Sequence, residues 1–172
     1  MINFANKRMN MKNNKTTSIL FICLGNICRS PAAEGIMKHI VEEKGVADAF
    51  EIDSAAIGSW HIGELPDSRM RRCGAGHGYM FNSRARQLTS EDFGRFDLII
   101  GMDHENIRAI KAKACNHDDE QKIRLMADYL QHHPNYSTIP DPYYGGERDF
   151  ELVIELLEDA CETLAEELIQ KL

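Results

Sequence analysis

Residues 17–30 read TSILFICLGNICRS, and this stretch decides the fold. Its first half, from Thr17 to Cys23, is a short apolar run rich in β-branched and aromatic side chains, the pattern of a buried strand. The run stops at Leu24-Gly25-Asn26, where Gly and Asn both tolerate positive φ. Ser30 then suits an N-cap and Pro31 the first helical position. Ala33, Ile36, Met37, Ile40 and Val41 recur at helical spacing, and Gly45 ends the helix. The unit is a strand, a tight polar turn and a helix.

Outward from that unit the same alternation continues. Residues 50–55 read as a second strand, 57–66 as a loop and 67–78 as a helix closing in the Gly-rich CGAGHG. Residues 90–93 suggest a helical turn, 97–102 a strand, 105–114 a helix and 122–126 a short strand. Residues 127–146 hold three of the five prolines and little periodicity, so they read as a long loop, a feature uncommon unless functional. Phe150, Val153, Leu156, Leu157, Ala160, Leu164 and Leu168 mark a final amphipathic helix. Strands alternating with helices predict an α/β fold: a single-domain three-layer sandwich, its central parallel sheet of about four strands flanked by helices. In such folds ligands sit beyond the carboxyl ends of the strands, which directs attention to the first turn.

Composition bounds the function. The chain has 172 residues, a formal net charge of −7, 43% hydrophobic and 27% charged residues. That is ordinary globular usage and enough chain for one real core. An acidic surface disfavours a nucleic-acid partner, and no apolar run approaches the ~20 residues that span a bilayer. The basic N-terminus lacks the apolar stretch of a secretory signal, so a cytoplasmic location without membrane attachment is expected. Residues 1–16 carry Lys7, Arg8, Lys12 and Lys15 and no acid, and read as a disordered, solvated tail ahead of a domain over 17–172. The five cysteines, Cys23, Cys28, Cys73, Cys115 and Cys161, are odd in number and form no CxxC pair. Reduced core thiols plus one reactive thiol are expected rather than a disulfide scaffold or zinc ribbon.

At the first turn a thiol ends a strand, five residues follow, and an Arg opens a helix. Backbone N–H groups of such a loop, Leu24, Gly25, Asn26, Ile27, Cys28 and Arg29, converge on one point, and the helix N-terminus adds positive partial charge. Arg29 supplies a planar fork suited to two phosphate oxygens. Cys23 at the bottom of that field is favoured as a thiolate, a nucleophile in line with the phosphorus of a bound ester. The bland alternative is a structural turn with two buried cysteines and a surface Arg.

The octapeptide CLGNICRS, followed by Pro31 and Ala33-Glu34, resembles the signature of the low-molecular-weight protein tyrosine phosphatases. That family also carries an Asp-Pro-Tyr-Tyr motif far downstream, matched here by Asp141-Pro142-Tyr143-Tyr144-Gly145. Asp53-Ser54-Ala55-Ala56, Ala85-Arg86-Gln87 and Met102-Asp103 are further similar patterns. The resemblance runs from about Ser18 to the C-terminus. It implies hydrolysis of phosphotyrosine and aryl phosphates through a phosphocysteine intermediate, with no cofactor and no metal. A tyrosine-phosphorylated protein or peptide is the implied partner, phosphate or another oxyanion the implied guest of the loop, and a monomer is expected.

Residue by residue, the resemblance implies that Cys23 is the nucleophile, Arg29 the phosphate-binding Arg and Asp141 the general acid and then base. Ser30 matches a hydroxyl that hydrogen-bonds the thiolate, a role that competes or combines with its N-cap reading. Asn26 matches a loop residue in left-handed conformation, and Ser54 the partner that ties it down. Tyr143, Tyr144 and Trp60 match aromatic walls of the substrate cleft. Cys28 matches a second loop cysteine, either closing a reversible disulfide with Cys23 or simply packing. In one departure, Ser83 stands where the family often has a His that joins the Asn network, so a network that is shorter or completed by water is expected.

Arsenate reductases share the loop, but their relay of nearby cysteines is missing, since Cys73 and Cys115 stand alone in sequence. Arginine-phosphate phosphatases of the family tend to have Thr where Ile27 stands. A binding module would lack the nucleophile or the acid, and both are present. No GxxxxGK[ST] supports a nucleotide site. His117 with Asp118, and His132-His133, read as exposed loop residues rather than metal ligands.

Overall fold

A computed structural model describes residues 15–172. The expected tail thus lies outside the described residues except for Lys15 and Thr16. Four strands, β1 (Thr17–Cys23), β2 (Phe50–Ala56), β3 (Leu98–Gly101) and β4 (Ile123–Leu125), pair in parallel in the order β2-β1-β3-β4. Six helices accompany them among the described residues: α1 (Arg29–Glu43), α2 (Ser68–Gly76), α3 (Asp92–Arg95), α4 (His104–Lys113), α5 (His117–Gln121) and α6 (Glu147–Ile169).

The two faces follow from the period of a strand. Ile19, Phe21 and Cys23 of β1 face one core, built with α1, α2 and α6. Leu20 and Ile22 face the other, closed by Phe93, Phe96 and Ile110 from α3, α4 and their flanks. Both faces of β1 are buried from Ser18 to Cys23, which is why its sequence is a nearly continuous apolar run rather than an alternation. The result is the expected three-layer α/β sandwich.

Phe81 fastens α1 to α2. Its ring lies where a Cβ on Gly35 would come within 2.5 Å of it, and a Cβ on Gly74 within 2.3 Å. Two glycines inside helices are explained by that one ring, whose burial stabilises by roughly 2–3 kcal/mol. Gly45, at φ 70°, ends α1 as expected.

The start of α1 differs from the reading above. The helix begins at Arg29 with Cys28 in the N-cap position and no side-chain cap. Ser30 is inside the first turn, fully buried, and its hydroxyl caps no backbone group. One first-turn N–H reaches into the loop instead: that of Ser30 donates to Cys23 Sγ at 3.4 Å. Three short elements escaped the periodicity: 3₁₀ turns at Ala47–Ala49 and Met126–Tyr129, and α5. Each is under six residues, too short for an apolar face to repeat.

All four strands point their carboxyl ends the same way. The first turn, the loop after β2 and the segment after β3 therefore meet at one edge. Ile57 and Gly58 donate backbone hydrogen bonds to Cys23 and Leu24, and Asp67 donates to Ile27 at 2.8 Å. Ile139 of the long loop donates to Met102 at 2.8 Å, bringing the Asp141 segment to the same edge.

Candidate active site

Cys23 ends β1 almost fully buried, its sulfur 3.0 Å from the Ser30 hydroxyl oxygen. The direction of the surrounding hydrogen bonds can be derived. Asn26 has φ 56°, alone among non-glycine residues described in having positive φ. Its carbonyl oxygen accepts the Arg86 backbone N–H at 3.1 Å, which leaves the amide NH₂ as donor. That NH₂ donates to Ser30 Oγ at 2.8 Å and to Ser54 Oγ at 2.9 Å. Each hydroxyl must then pass its single proton onward. Ser54 donates to Glu34 Oε1 at 2.6 Å, and Ser30 is left to point its proton at the Cys23 sulfur. Glu34 is itself held by Lys38 at 2.7 Å. Among the described residues no buried side-chain nitrogen or oxygen lacks a partner.

The fold brings Asn26, Ser30 and Ser54 together in this network. With Ser83 at the position noted above, the Asn26 amide is satisfied by the Arg86 backbone and two hydroxyls. Arg86 is in turn fixed by Asp53 at 3.0 Å and by a two-pronged contact with Asp92 at 3.0 and 3.1 Å. Glu34, Arg86 and Asp53 lie in stretches singled out above, but no role had been read for them.

Arg29 is 2% exposed. Its Nη1 donates to Asp103 Oδ2 at 2.6 Å and to the Ile139 carbonyl at 2.9 Å, while Nη2 lies 3.6 Å from Asp141 Oδ2. Burial alone would push the guanidinium down. The negative charges of Cys23, Asp103 and Asp141 outweigh it and hold Arg29 above its ordinary value, so it stays cationic. Asp103 also accepts the Asn106 N–H at 2.8 Å, capping α4. Asp103 is legible in the sequence only as part of a motif fragment, because its partner lies 74 residues away.

A cavity of about 440 Å³ opens over these groups. Cys23, Leu24, Gly25, Ile27, Cys28 and Arg29 form its floor, and Trp60, His61, Asp141, Tyr143 and Tyr144 its walls. Trp60 is 69% and Tyr144 95% exposed, so neither ring serves the core. Tyr143 and Tyr144 meet edge-to-face at 5.0 Å, and the Arg69 guanidinium lies 5.4 Å from the Tyr143 ring centre. Trp60 folds back over Gly58, where a Cβ would fall 1.8 Å from the indole. Asp141 accepts the Tyr143 N–H at 3.1 Å, which anchors the carboxylate to its own turn. His61, held by Glu64 at 2.7 Å, is a wall residue the sequence reading left out. Burial pushes the Cys28 thiol well up, aided by the charges of Asp67, Cys23 and Asp141, so it is a neutral neighbour of Cys23.

The aromatic slot with a thiol, a cationic fork and a carboxylate suits an aryl ester of a dianion. Away from it, Cys73, His77 and Glu151 place a sulfur, a ring nitrogen and a carboxylate oxygen within 4.8 Å of one another. No metal spacing had been read there, because the third group comes from α6.

Comparison with known proteins agrees with this geometry. The family described as low molecular weight phosphotyrosine protein phosphatase matches residues 18–172. The Gallus gallus low molecular weight phosphotyrosine protein phosphatase is 43% identical over 150 residues, covering 87% of this chain and 94% of its own. A crystal structure of an Entamoeba histolytica protein tyrosine phosphatase with Hepes in its active site superposes with TM-score 0.87 at 42% identity, covering 91% of this chain and 99% of that one. An arginine phosphatase of Drosophila shares the fold at TM-score 0.81 and 31% identity, over 87% of this chain and 96% of its own.

Proposed function

The chain belongs to the low molecular weight phosphotyrosine protein phosphatases and is a phosphoric monoester hydrolase, and we propose that it works through a phosphocysteine with Asp141 as proton donor and then acceptor. The observation that carries this reading is the meeting of Cys23 and Arg29, from one loop, with Asp141, more than a hundred residues further on, in one aromatic-walled cavity.

The Cys23 thiolate, steadied by the Ser30 hydroxyl, attacks phosphorus. The S–P bond forms as the bond from phosphorus to the tyrosyl oxygen breaks. Asp141 gives its proton to the departing phenolate, whose conjugate acid has a pKa near ~10. General acid catalysis of this kind contributes typically ~10² to 10⁴-fold. Arg29 and the loop N–H groups bind the three equatorial oxygens of the transferring phosphoryl group. The ionised Asp141 then takes a proton from water as it attacks the phosphocysteine, releasing phosphate and restoring the thiolate.

Substrate choice follows from the walls. Trp60, Tyr143 and Tyr144 make a slot that a flat phenyl ring fills and a phosphoserine leaves wet. Ile27 on the cavity floor is apolar and favours the aryl ester over a phosphoarginine. A tyrosine-phosphorylated protein or peptide is the partner in this reading, and the cytoplasm its place. Among the described residues no helix is long and apolar enough to cross a membrane.

The test is turnover of aryl phosphates of graded leaving-group pKa. Cys23→Ser abolishes turnover, and Asp141→Asn slows poor leaving groups more than good ones. Activity surviving Cys23→Ser, or an Asp141→Asn effect independent of the leaving group, contradicts the mechanism.

A further inference from the structure

Outside the Cys23 cavity, α2 and α6 bring together a thiol, an imidazole and two carboxylates. Cys73 and His77 stand one helical turn apart at the end of α2. Glu151, in the second turn of α6, reaches both: the Cys73 thiol donates to Oε1 at 3.1 Å, and His77 Nε2 lies 2.7 Å from Oε2.

We propose that Cys73, His77 and Glu151 form a binding site for a borderline-soft divalent cation of the zinc class, which clips the end of α2 to α6. Three independent features carry this. First, the donor set is chemically apt: a thiolate, an imidazole nitrogen and a carboxylate oxygen together prefer zinc over calcium or magnesium. Second, the spacing is nearly right. Bonds of ~2.0–2.3 Å at tetrahedral angles put ligand atoms about 3.5 Å apart, and the three atoms here already lie within 4.8 Å of one another. Third, the imidazole is oriented from behind. His77 Nδ1 lies 3.1 Å from Glu158 Oε1, and Tyr79 donates to the other oxygen of Glu158 at 3.0 Å. A carboxylate on the far ring nitrogen is the usual support of a zinc-bound His, since it fixes Nε2 as the ligand atom.

A cavity of about 330 Å³, lined by Cys73, Gly76, Glu147 and Glu151 among others, adjoins the cluster. It gives an entry path and room for a water as fourth ligand. Glu147 and Glu151 line it together with Arg69 and Arg72, so its charges balance. Binding exchanges two protons for the metal, that of the Cys73 thiol and the Nε2 proton of the bridging His77, and releases both to solvent, with no redox step. Without metal the same residues form a His77 bridge between Glu151 and Glu158, and that bridge is the competing account.

Cobalt(II) tests the site, because sulfur-to-cobalt charge transfer reports thiolate ligation directly. The full chain carrying Cys23→Ser, which removes the active-site thiol, is titrated with Co²⁺ and then with Zn²⁺. The expected result is one equivalent of Co²⁺ with a near-ultraviolet thiolate band that Zn²⁺ displaces, and a higher unfolding temperature with metal. Adding Cys73→Ser removes the band. His77→Gln, at the helix end, weakens binding by ~100-fold and Glu158→Gln by ~10-fold. Absence of the band, its survival in Cys73→Ser, or undiminished affinity in His77→Gln overturns the proposal and leaves the ion-pair bridge.

Discussion

The Asp103 carboxylate holds Arg29 with one oxygen and caps α4 with the other, at 2.6 Å to Nη1 and 2.8 Å to the Asn106 N–H. A guanidinium buried at the bottom of a cleft is thereby aimed by a helix start, and the helix start is fixed by β3. Asp103→Asn keeps an oxygen for the cap but replaces the charged acceptor facing Arg29. It is expected to lower kcat/KM by about tenfold, equivalent to ~1.4 kcal/mol, with a nearly unchanged unfolding temperature. Asp103→Ala loses the cap too and costs a further ~1 kcal/mol of stability. Steady-state kinetics with an aryl phosphate, beside thermal melts, separate the two; undiminished kcat/KM in Asp103→Asn would show that Arg29 needs no aiming.

Asn26 joins two demands in one residue: left-handed backbone and a two-pronged amide donor. Two substitutions pull these apart. Asn26→Gly keeps the backbone at no steric cost, whereas Asn26→Ala adds ~1–2 kcal/mol of strain. Both delete the donor that forces the Ser30 proton toward Cys23. Denaturant unfolding should therefore rank Gly above Ala, while both lose activity to a similar degree, at least ~10-fold. Full activity in Asn26→Gly would reduce Asn26 to a backbone role.

Trp60 and Tyr144 are so exposed that truncation should barely touch stability. Trp60→Ala and Tyr144→Ala are expected to raise KM for phenyl phosphates several-fold, with inhibition by inorganic phosphate nearly unchanged, because phosphate does not reach the walls. Gly58→Ala makes a sharper test. Its new methyl would meet the indole, which must swing away, so the variant should reproduce the Trp60→Ala kinetics with Trp60 still present. Equal losses for phenyl phosphate and inorganic phosphate would move these residues from wall to floor.

What was legible in the sequence, and what was not, divides by distance along the chain. The run from Thr17 to Cys23 and the helix over α1 are local, and residue type alone announces them; for the positive φ at Asn26 residue type offers Gly25 equally, and the motif resemblance points to Asn26. The fold class followed from alternating periodicities, each written in fewer than twenty residues. Asp103 and Glu34 were not assigned roles, since a carboxylate reveals its partner only when strands β1, β2 and β3 lie side by side. Ser30 carries two readings in the sequence, helix cap and partner of the sulfur, because a serine before a helix looks the same whether its hydroxyl bonds an amide or a sulfur; the hydroxyl lies on the sulfur and caps nothing. The cluster at Cys73 was invisible for a like reason: one third of it belongs to another helix.

Asp159 offers a prediction that depends on pH. It is buried on α6, where its carboxylate accepts the backbone N–H groups of Gln131 and His132 at 3.1 and 2.9 Å and meets His133 Nδ1 at 2.8 Å. That grip closes the start of the loop that leads to Asp141. Burial alone would raise this carboxyl, but the hydrogen bonds from His133, Gln131 and His132 prevail and hold it below its ordinary value of 3.8. A folded-state value below the unfolded one means the stabilisation is fully present above about pH 4 and is lost as pH falls through the folded value. Asp159→Asn should therefore destabilise by about 2 kcal/mol at pH 7, the loss of a charged acceptor for several donors. The gap between wild type and variant should then narrow steadily below pH ~4, as the wild-type carboxyl takes up its proton. Urea unfolding at pH 7, 5 and 3 measures that gap. If it stays constant down to pH 3, the grip on residues 131–133 owes nothing to the charge of Asp159, and the loop is held by packing alone.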